Sequence, residues 1–385
     1  MIDLLDTAPF AARREQALFR TLRNEAPVHF NPEPGGPGFW NLTRHDDVSM
    51  AARDTRRFLS GKGTQIRDKR AEGHGHASVH NADGMLHSQL RSPALAALSR
   101  AAMVRHGTRI AEIVDRLIAA APRGEAFDFV ETVAKQLPMI VIAEVLGVPA
   151  GDAAQLTAWA NAMSDVNASD ADQAACRASL FGYFRGLAAD KCHQAADDVA
   201  SALVEHFSGP DAPGILDAYF MLLTVAGNET TRFLLAEGLE ALVQTPPALA
   251  RLRAEPALAA SAVEEMCRLV SPVMQMRRTL AEDMTLHGTR LPAGAKVVLW
   301  FASANHDERA FVDPERFDIA RSPNRHLGFG QGPHFCLGAH LARLEARLFL
   351  EAMVRDIGHI EIMAPAERAP SNWFAATQRL MVRWQ

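Results

Sequence analysis

The chain has 385 residues, 48% hydrophobic and 22% charged, with 25 Gly and 21 Pro, proportions that exclude a disordered, collagenous or coiled-coil protein. Forty basic against 45 acidic side chains leave a net charge of −5, which gives no electrostatic footprint for a nucleic acid or an anionic membrane. The four cysteines, Cys176, Cys192, Cys267 and Cys336, lie far apart without zinc-like spacing; this excludes a disulfide scaffold and fits a reducing, cytoplasmic compartment.

In chain order, residues 1–30 are broken up by Asp3, Asp6, Arg13, Arg14 and Glu15, so no signal-peptide core is read there. Periodicity predicts a helix over 11–24, a Pro/Gly turn over 34–38 and a short strand over 39–43. Residues 61–81 are polar, with His74, His76 and His80 among glycines, and read as a loop; a metal site is the sharper alternative, solvated histidines the plainer one. From Ala94 onward helical periodicity dominates. The apolar run 139–143 falls far short of the roughly 20 apolar residues that span a bilayer.

The clearest helix is 214–245, with Pro210 and Pro213 before it and Pro246-Pro247 after it. At about 1.5 Å per residue it would be about 48 Å long. Its first half, 215–226, is apolar on nearly every side and is expected to be buried all round. Strand signals return over 284–301 around the turn Leu291-Pro292-Ala293-Gly294. Residues 306–324 read as coil, 337–355 as a last helix, and a short β-like tail follows. The expectation is a mainly α protein with small sheets, one domain over 1–385.

Cys336 sits where a Gly-rich loop enters that last helix. Free amide N–H groups at a helix start favour a thiolate. Gly328, Gly330 and Gly332 would let the backbone approach a flat object, and Gly338 removes a side chain beyond the sulfur. Phe329 would shield the sulfur, and His334 would face an anionic group beside it. A lone thiolate, a flat neighbour and an anion partner point to haem. Rival readings are a dinucleotide loop, a nucleophilic cysteine and an inert buried cysteine. The glycine spacing does not match G-x-G-x-x-G, and no partner base is evident.

The string Phe329-Gly-Gln-Gly-Pro-His-Phe-Cys336-Leu-Gly338 sits within a stretch, 326–343, that resembles the cysteine-ligand loop of the cytochrome P-450 family, F-G-x-G-x-[H/R]-x-C-x-G, with every fixed position present. The resemblance implies the mainly α cytochrome P-450 fold, with haem b (iron protoporphyrin IX) between the long helix and the cysteine-ligand helix. It implies a haem-thiolate monooxygenase, Cys336 on the iron and His334 on a propionate.

The long helix carries Ala226-Gly227-Asn228-Glu229-Thr230-Thr231. An acid and hydroxyls in a buried helix are costly unless satisfied, and a glycine there costs about 1 kcal/mol relative to Ala. Local rules broken at one place point to function. Ala226 and Gly227 leave room beside the helix. In the resembling family this is the acid–alcohol pair, which makes Thr230 the oxygen-activating hydroxyl and Glu229 the proton relay.

Glu265 and Arg268 stand i, i+3 and by resemblance form a buried charge network with Arg316, holding the cysteine loop. His87, Arg91 and Arg278 match positions that bind haem propionates; Pro93 falls early in the helix that carries the first two. Met221, Leu222, Val225, Val273, Met274, Trp373 and Phe374 are expected to line an apolar pocket, plain core being the alternative for each. The tail Ser371-Asn372-Trp373-Phe374 is similar to the S-N-[F/W] tails of bacterial sterol- and terpenoid-oxidising relatives, which tilts the substrate toward a steroid or terpenoid; fatty acids and polyketides stay open. With no flavin or iron–sulfur motif of its own, the chain needs a ferredoxin-type donor with its NAD(P)H reductase. By resemblance the donor docks at Arg100, Arg105, Arg343 and Arg347. A non-catalytic haem sensor and a peroxide-driven oxygenase are the competing classes.

Overall fold

In the computed structural model, residues 2–67, 78–163 and 169–385 are described. Helices carry most of these residues, and four small sheets accompany them. His74 and His76 lie outside the described residues; among the described ones no group of His, Cys, Asp or Glu is placed to hold a metal ion.

The long helix spans Ala212–Val243, with proline in its first turn, where the missing N–H has no helical partner to lose. It ends just before the helix Pro246–Ala254. It packs on Gln136–Leu146 and Ala259–Val270, while the last helix, Ala339–Asp356, packs on Arg100–Ala120 and Ala259–Val270. Phe220, Leu223, Leu235, Met266, Phe349 and Met353 belong to the one large apolar cluster these helices share.

The helix expected over 11–24 is split into Ala8–Ala11 and Glu15–Glu25. Arg13 between them takes a left-handed φ of 55°, and its guanidinium reaches Glu240 of the long helix at 2.6 Å. A distant ion pair overrides the local period. The helix Gly84–Ala97, in contrast, runs on through Pro93.

The largest sheet has five strands in the order Val28–Asn31, Phe39–Leu42, Lys296–Trp300, Gln275–Leu280, Phe58–Leu59. Lys296–Trp300 is central, parallel to Phe39–Leu42 and antiparallel to Gln275–Leu280, and all five of its residues are buried. Strand alternation sends Val298 and Trp300 into the large cluster and Val297 and Leu299 into a second one. The tail forms the strands Glu367–Arg368, Thr377–Arg379 and Met381–Trp384. Residues 306–324 hold only turns and bends.

Candidate active site

The long helix is not buried all round. Phe220, Leu223, Thr224, Asn228 and Thr231 are buried, whereas Leu222 and Thr230 are part-open and Ala226 is exposed. Leu222, Ala226 and Thr230 are spaced i, i+4 and so form one stripe; Met221, Val225 and Glu229 form the part-open stripe beside it. The apolar run therefore has a core face and a cleft face. The helix stays regular through the polar stretch, because Thr230 Oγ1 donates to the Ala226 carbonyl at 2.7 Å. The room beside Gly227 is not cleft: a Cβ there would meet Ile142 of the neighbouring helix at 3.4 Å, so this glycine serves helix packing.

Cys336 is ringed by protein yet its surface is open, so it lines the interior cleft. Its amide donates to the Phe329 carbonyl at 2.8 Å, which closes the loop into a fixed hairpin around the sulfur. The expected ease of thiolate formation is corrected: burial pushes the thiol up, against the Gly338 N–H, Arg91 and Arg343, which pull it down. Gly338 matches its expectation, since a Cβ there meets nothing within 4 Å. Gly330 is required by its backbone, at φ 68°. Gly328 and Gly332 are pressed instead against protein, where a Cβ would fall 2.7 Å from the Cys267 and Ala52 carbonyls respectively.

Four groups gather beside the loop. The His87 and His334 rings lie 4.1 Å apart, and His334 Nε2 is 3.2 Å from Ser60 Oγ. Arg91 donates to the Phe335 carbonyl at 2.5 Å, and Arg278 donates to the Arg277 carbonyl. Burial, with Arg278, His87 and Arg91 adding repulsion, pushes His334 down to about 3; burial pushes Arg278 down to about 10. Burial, then Arg91, also lowers His87, against Asp83. Nε2 of His87 and Nε of Arg278 are buried without hydrogen-bond partners among the described residues.

Arg268 pairs bidentately with Glu265 at 2.8 Å, both fully buried, and caps the carbonyls of Asn305, Pro314 and Arg316. The third member expected, Arg316, is corrected. Its side chain is 67% exposed and reaches only Asp318, at 3.6 Å. The residue that completes the network is Arg321, whose Nε donates to both Glu265 oxygens at 3.0 and 3.1 Å. Its other nitrogens bind the carbonyls of Val312, Asp313 and Arg316. Several arginines lie in this coil, and no spacing marks the one that turns inward.

Met221, Leu222 and Val225 are part-open, and Met221 and Leu222 also pack against the large apolar cluster. Val273 is part-open and bridges Phe374, which lies 5.9 Å from Phe233 and stacks on Trp373 at 4.3 Å. Met274 is corrected: it is 1% exposed and belongs to the large core cluster, since it points opposite to Val273. Ser371 and Asn372 do not reach for a ligand. Ser371 Oγ accepts from the amides of Trp373 and Phe374, and Asn372 Nδ2 donates to the Leu4 carbonyl at 2.8 Å. They shape the turn that presents the two aromatics.

Among the arginines expected at a donor-docking face, Arg100 is exposed, Arg105 pairs with Asp197 and Arg347 with Glu351. Arg343 is part-exposed, bidentate to Glu264 at 2.6 and 2.8 Å, with its guanidinium 4.3 Å from the Phe329 ring centre.

An open cysteine, glycine-made space beside its sulfur, an exposed alanine on the cleft face of a core helix, and buried donors on a cationic cluster together fit a flat, dianionic, metal-bearing group, which is haem. The comparisons agree. The sequence profile "Cytochrome P450", written here cytochrome P-450, matches residues 216–359. The chain is 37% identical to a methyl-branched lipid omega-hydroxylase of Mycobacterium bovis, covering 95% of this chain and 90% of that protein. It is 32% identical to a steroid C26-monooxygenase of Rhodococcus jostii, covering 100% of this chain and 84% of that one. A Mycobacterium marinum cytochrome P-450 solved in complex with pseudoionone superposes with a TM-score of 0.88 at 35% identity, covering 97% and 96% of the two chains. The fold and site define a haem-thiolate oxidoreductase. The chain belongs to the cytochrome P-450 family; it is a monooxygenase that binds haem b, uses O2 and takes electrons from a redox partner. Among the described residues no helix is long and apolar enough to cross a membrane.

Proposed function

We propose that the chain, working as one domain, hydroxylates an apolar, branched isoprenoid-type substrate, a steroid or terpenoid, held in the cleft between the long helix and the tail. The observation that carries this reading is the open stripe of Leu222, Ala226 and Thr230, because it sets an apolar wall and a hydroxyl on one face in the molecule's interior. Bound through Cys336, haem supplies the redox chemistry that splits O2. His87, Arg91, Arg278 and His334 hold its propionates, His87 Nε2 and Arg278 Nε being buried without acceptors among the described residues. Phe329, Gly330 and Gly338 shape the loop around the sulfur. Glu265, Arg268 and Arg321 hold the coil that leads into it.

Thr230 commits its hydroxyl hydrogen to the Ala226 carbonyl, so Oγ1 offers its lone pairs to the cleft as a hydrogen-bond acceptor that orients a proton donor there, while Glu229 on the neighbouring stripe is the residue that relays the proton. Met221, Leu222, Val225, Val273, Trp373 and Phe374 exclude water and orient the substrate by shape. The branched class is supported by the relatives, which act on a methyl-branched lipid and a steroid, and by the neighbour solved with pseudoionone. The electron donor is proposed to be a ferredoxin with its NAD(P)H reductase.

The reduced, CO-treated holoprotein should show the absorption band of thiolate-ligated haem. Thr230→Ala should keep that band while NADH consumption diverts from product to peroxide. Binding-induced spectral titrations should saturate with steroids or terpenoids at lower concentration than with straight-chain fatty acids. Tight binding of the fatty acids alone would overturn the branched-substrate reading.

A further inference from the structure

The helix that follows Cys336 carries a part-buried cation held against the back of the cysteine loop. Arg343 lies two turns along it, its guanidinium over the Phe329 ring at 4.3 Å. Glu264 grips it from the far side through two hydrogen bonds, 2.6 and 2.8 Å. The same carboxylate takes a third, from His326 Nε2 at 3.0 Å. His326 is itself fixed, since its Nδ1 accepts the Gly328 amide at 3.1 Å, and its ring lies 5.9 Å from that of Phe329. Glu264, His326, Arg343 and Phe329 thus form one interlocked cluster on the back of the cysteine loop, and Phe329 gives its carbonyl to the Cys336 amide.

Such a cluster has an electrical direction. The positive end lies over the Phe329 ring, and the negative end is the Glu264 carboxylate that holds it. Burial would raise the Glu264 carboxyl, but the hydrogen bonds from Arg343 and His326 bring it to about 2, so the negative end is permanent at working pH. In an interior of low effective dielectric a fixed charge near a sulfur ligand acts strongly on it.

We propose that Arg343, aimed by Glu264 and seated on Phe329, is a positioning residue that sets the reduction potential of the cysteine-ligated haem iron by withdrawing charge from the Cys336 sulfur. This rests on the reading of Cys336 as the iron ligand. A cation beside the thiolate weakens its donation and favours the reduced iron. Glu264 fixes the cation over Phe329 and partly cancels it. The two partners therefore have opposite signs of effect, which a merely structural role would not produce.

The test is a spectroelectrochemical titration of the holoprotein and its variants, with the CO-bound spectrum recorded alongside. Arg343→Gln should move the potential in the negative direction, and Glu264→Gln in the positive direction, both with the thiolate-type CO band retained. Arg343→Lys keeps the charge without the planar stack and should recover part of the Arg343→Gln shift. Shifts of the same sign in Arg343→Gln and Glu264→Gln, or a shift in neither, would overturn the proposal. So would conversion of both to a CO spectrum lacking the thiolate band, since that marks a loop support and not a charge effect. If wild type itself lacks the band, the iron-ligand reading fails first, and the two failures are told apart in the same experiment.

Discussion

The cysteine loop and the C-terminal tail both face the interior cleft, and their geometry has opposite origins. The loop's own turn is set by its neighbours in sequence, with distant residues bracing it from outside: the Phe329 carbonyl holds the Cys336 amide, Gly330 supplies the left-handed turn and Gly338 leaves open space. The tail is placed from far away. Arg368 donates to Glu237 of the long helix at 2.5 Å and to Glu15 at 2.8 Å, Thr377 reaches the same Glu237, and Glu240 takes the Ala366 amide. The Trp373 carbonyl accepts from Met274, and Ala375 donates to the Pro272 carbonyl at 3.0 Å. A locally encoded site survives as a motif. A site placed by distant charges leaves no such mark.

The sharpest break of this contrast is at its local end. Cys336→Ala should abolish the thiolate-type CO band completely, although the backbone hydrogen bonds of the loop need no side chain at that position. Retention of the band would remove the basis for every site assignment made above.

Next in size is the buried network beneath the loop. Arg321→Ala strips two hydrogen bonds from the fully buried Glu265 and three from backbone carbonyls, and should cost about 3–5 kcal/mol of folding stability. Arg316→Ala removes only an exposed pair and should stay within about 0.5 kcal/mol. Denaturant melts of the two variants separate them. Equal losses would return Arg316 to the network.

These residues show what the sequence made legible. Glu265 and Arg268 are adjacent turns of one helix, so their pairing was readable from spacing alone. Their third partner sits in a coil where every arginine looks alike, and only the ring of carbonyls from Val312, Asp313 and Arg316 selects Arg321. In the same way the acid–alcohol stretch betrayed the cleft by its polarity, while the pairing of Arg343 with Glu264, 79 residues away, left no mark in the sequence. Met274 was misplaced because an apolar residue next to a pocket residue on a strand points the other way. Helix lengths and the mainly α fold were readable since they rest on period and proline punctuation. The split at Arg13 was not, since it answers to Glu240.

The tail's charge clamp should show a moderate effect with a pH signature. Burial alone would raise the Glu237 carboxyl, yet Arg368 and Arg13 hold it below its ordinary value. A carboxyl lowered in the fold contributes stability that is present above its unfolded pKa of about 4.5 and is lost as pH falls through its folded value. Arg368→Ala should cost about 3 kcal/mol near neutral pH, and the variant should lose less stability than wild type on acidification below about pH 4.5. Parallel acid limbs in the two proteins would show that the clamp is not held by charge.

The smallest expected effect is the most telling about the tail. Asn372→Ala removes one hydrogen bond, to the Leu4 carbonyl, and leaves the Glu237 clamp and the Trp373–Met274 bond in place. The stability cost should be about 1 kcal/mol. If Asn372 acts only by fixing the turn that presents Trp373 and Phe374, the variant should keep the CO band and the reduction potential of wild type while its apparent affinity for the branched substrate falls several-fold. The Asn372 side chain bonds to Leu4 and not to the cleft face of the long helix, so the expected route of the change is through the stacked aromatics. Phe374→Ala should then produce a larger loss of affinity, and the double variant should be no worse than Phe374→Ala alone, because the turn has nothing left to position. Additive losses in the double variant would mean that Asn372 supports binding by another route.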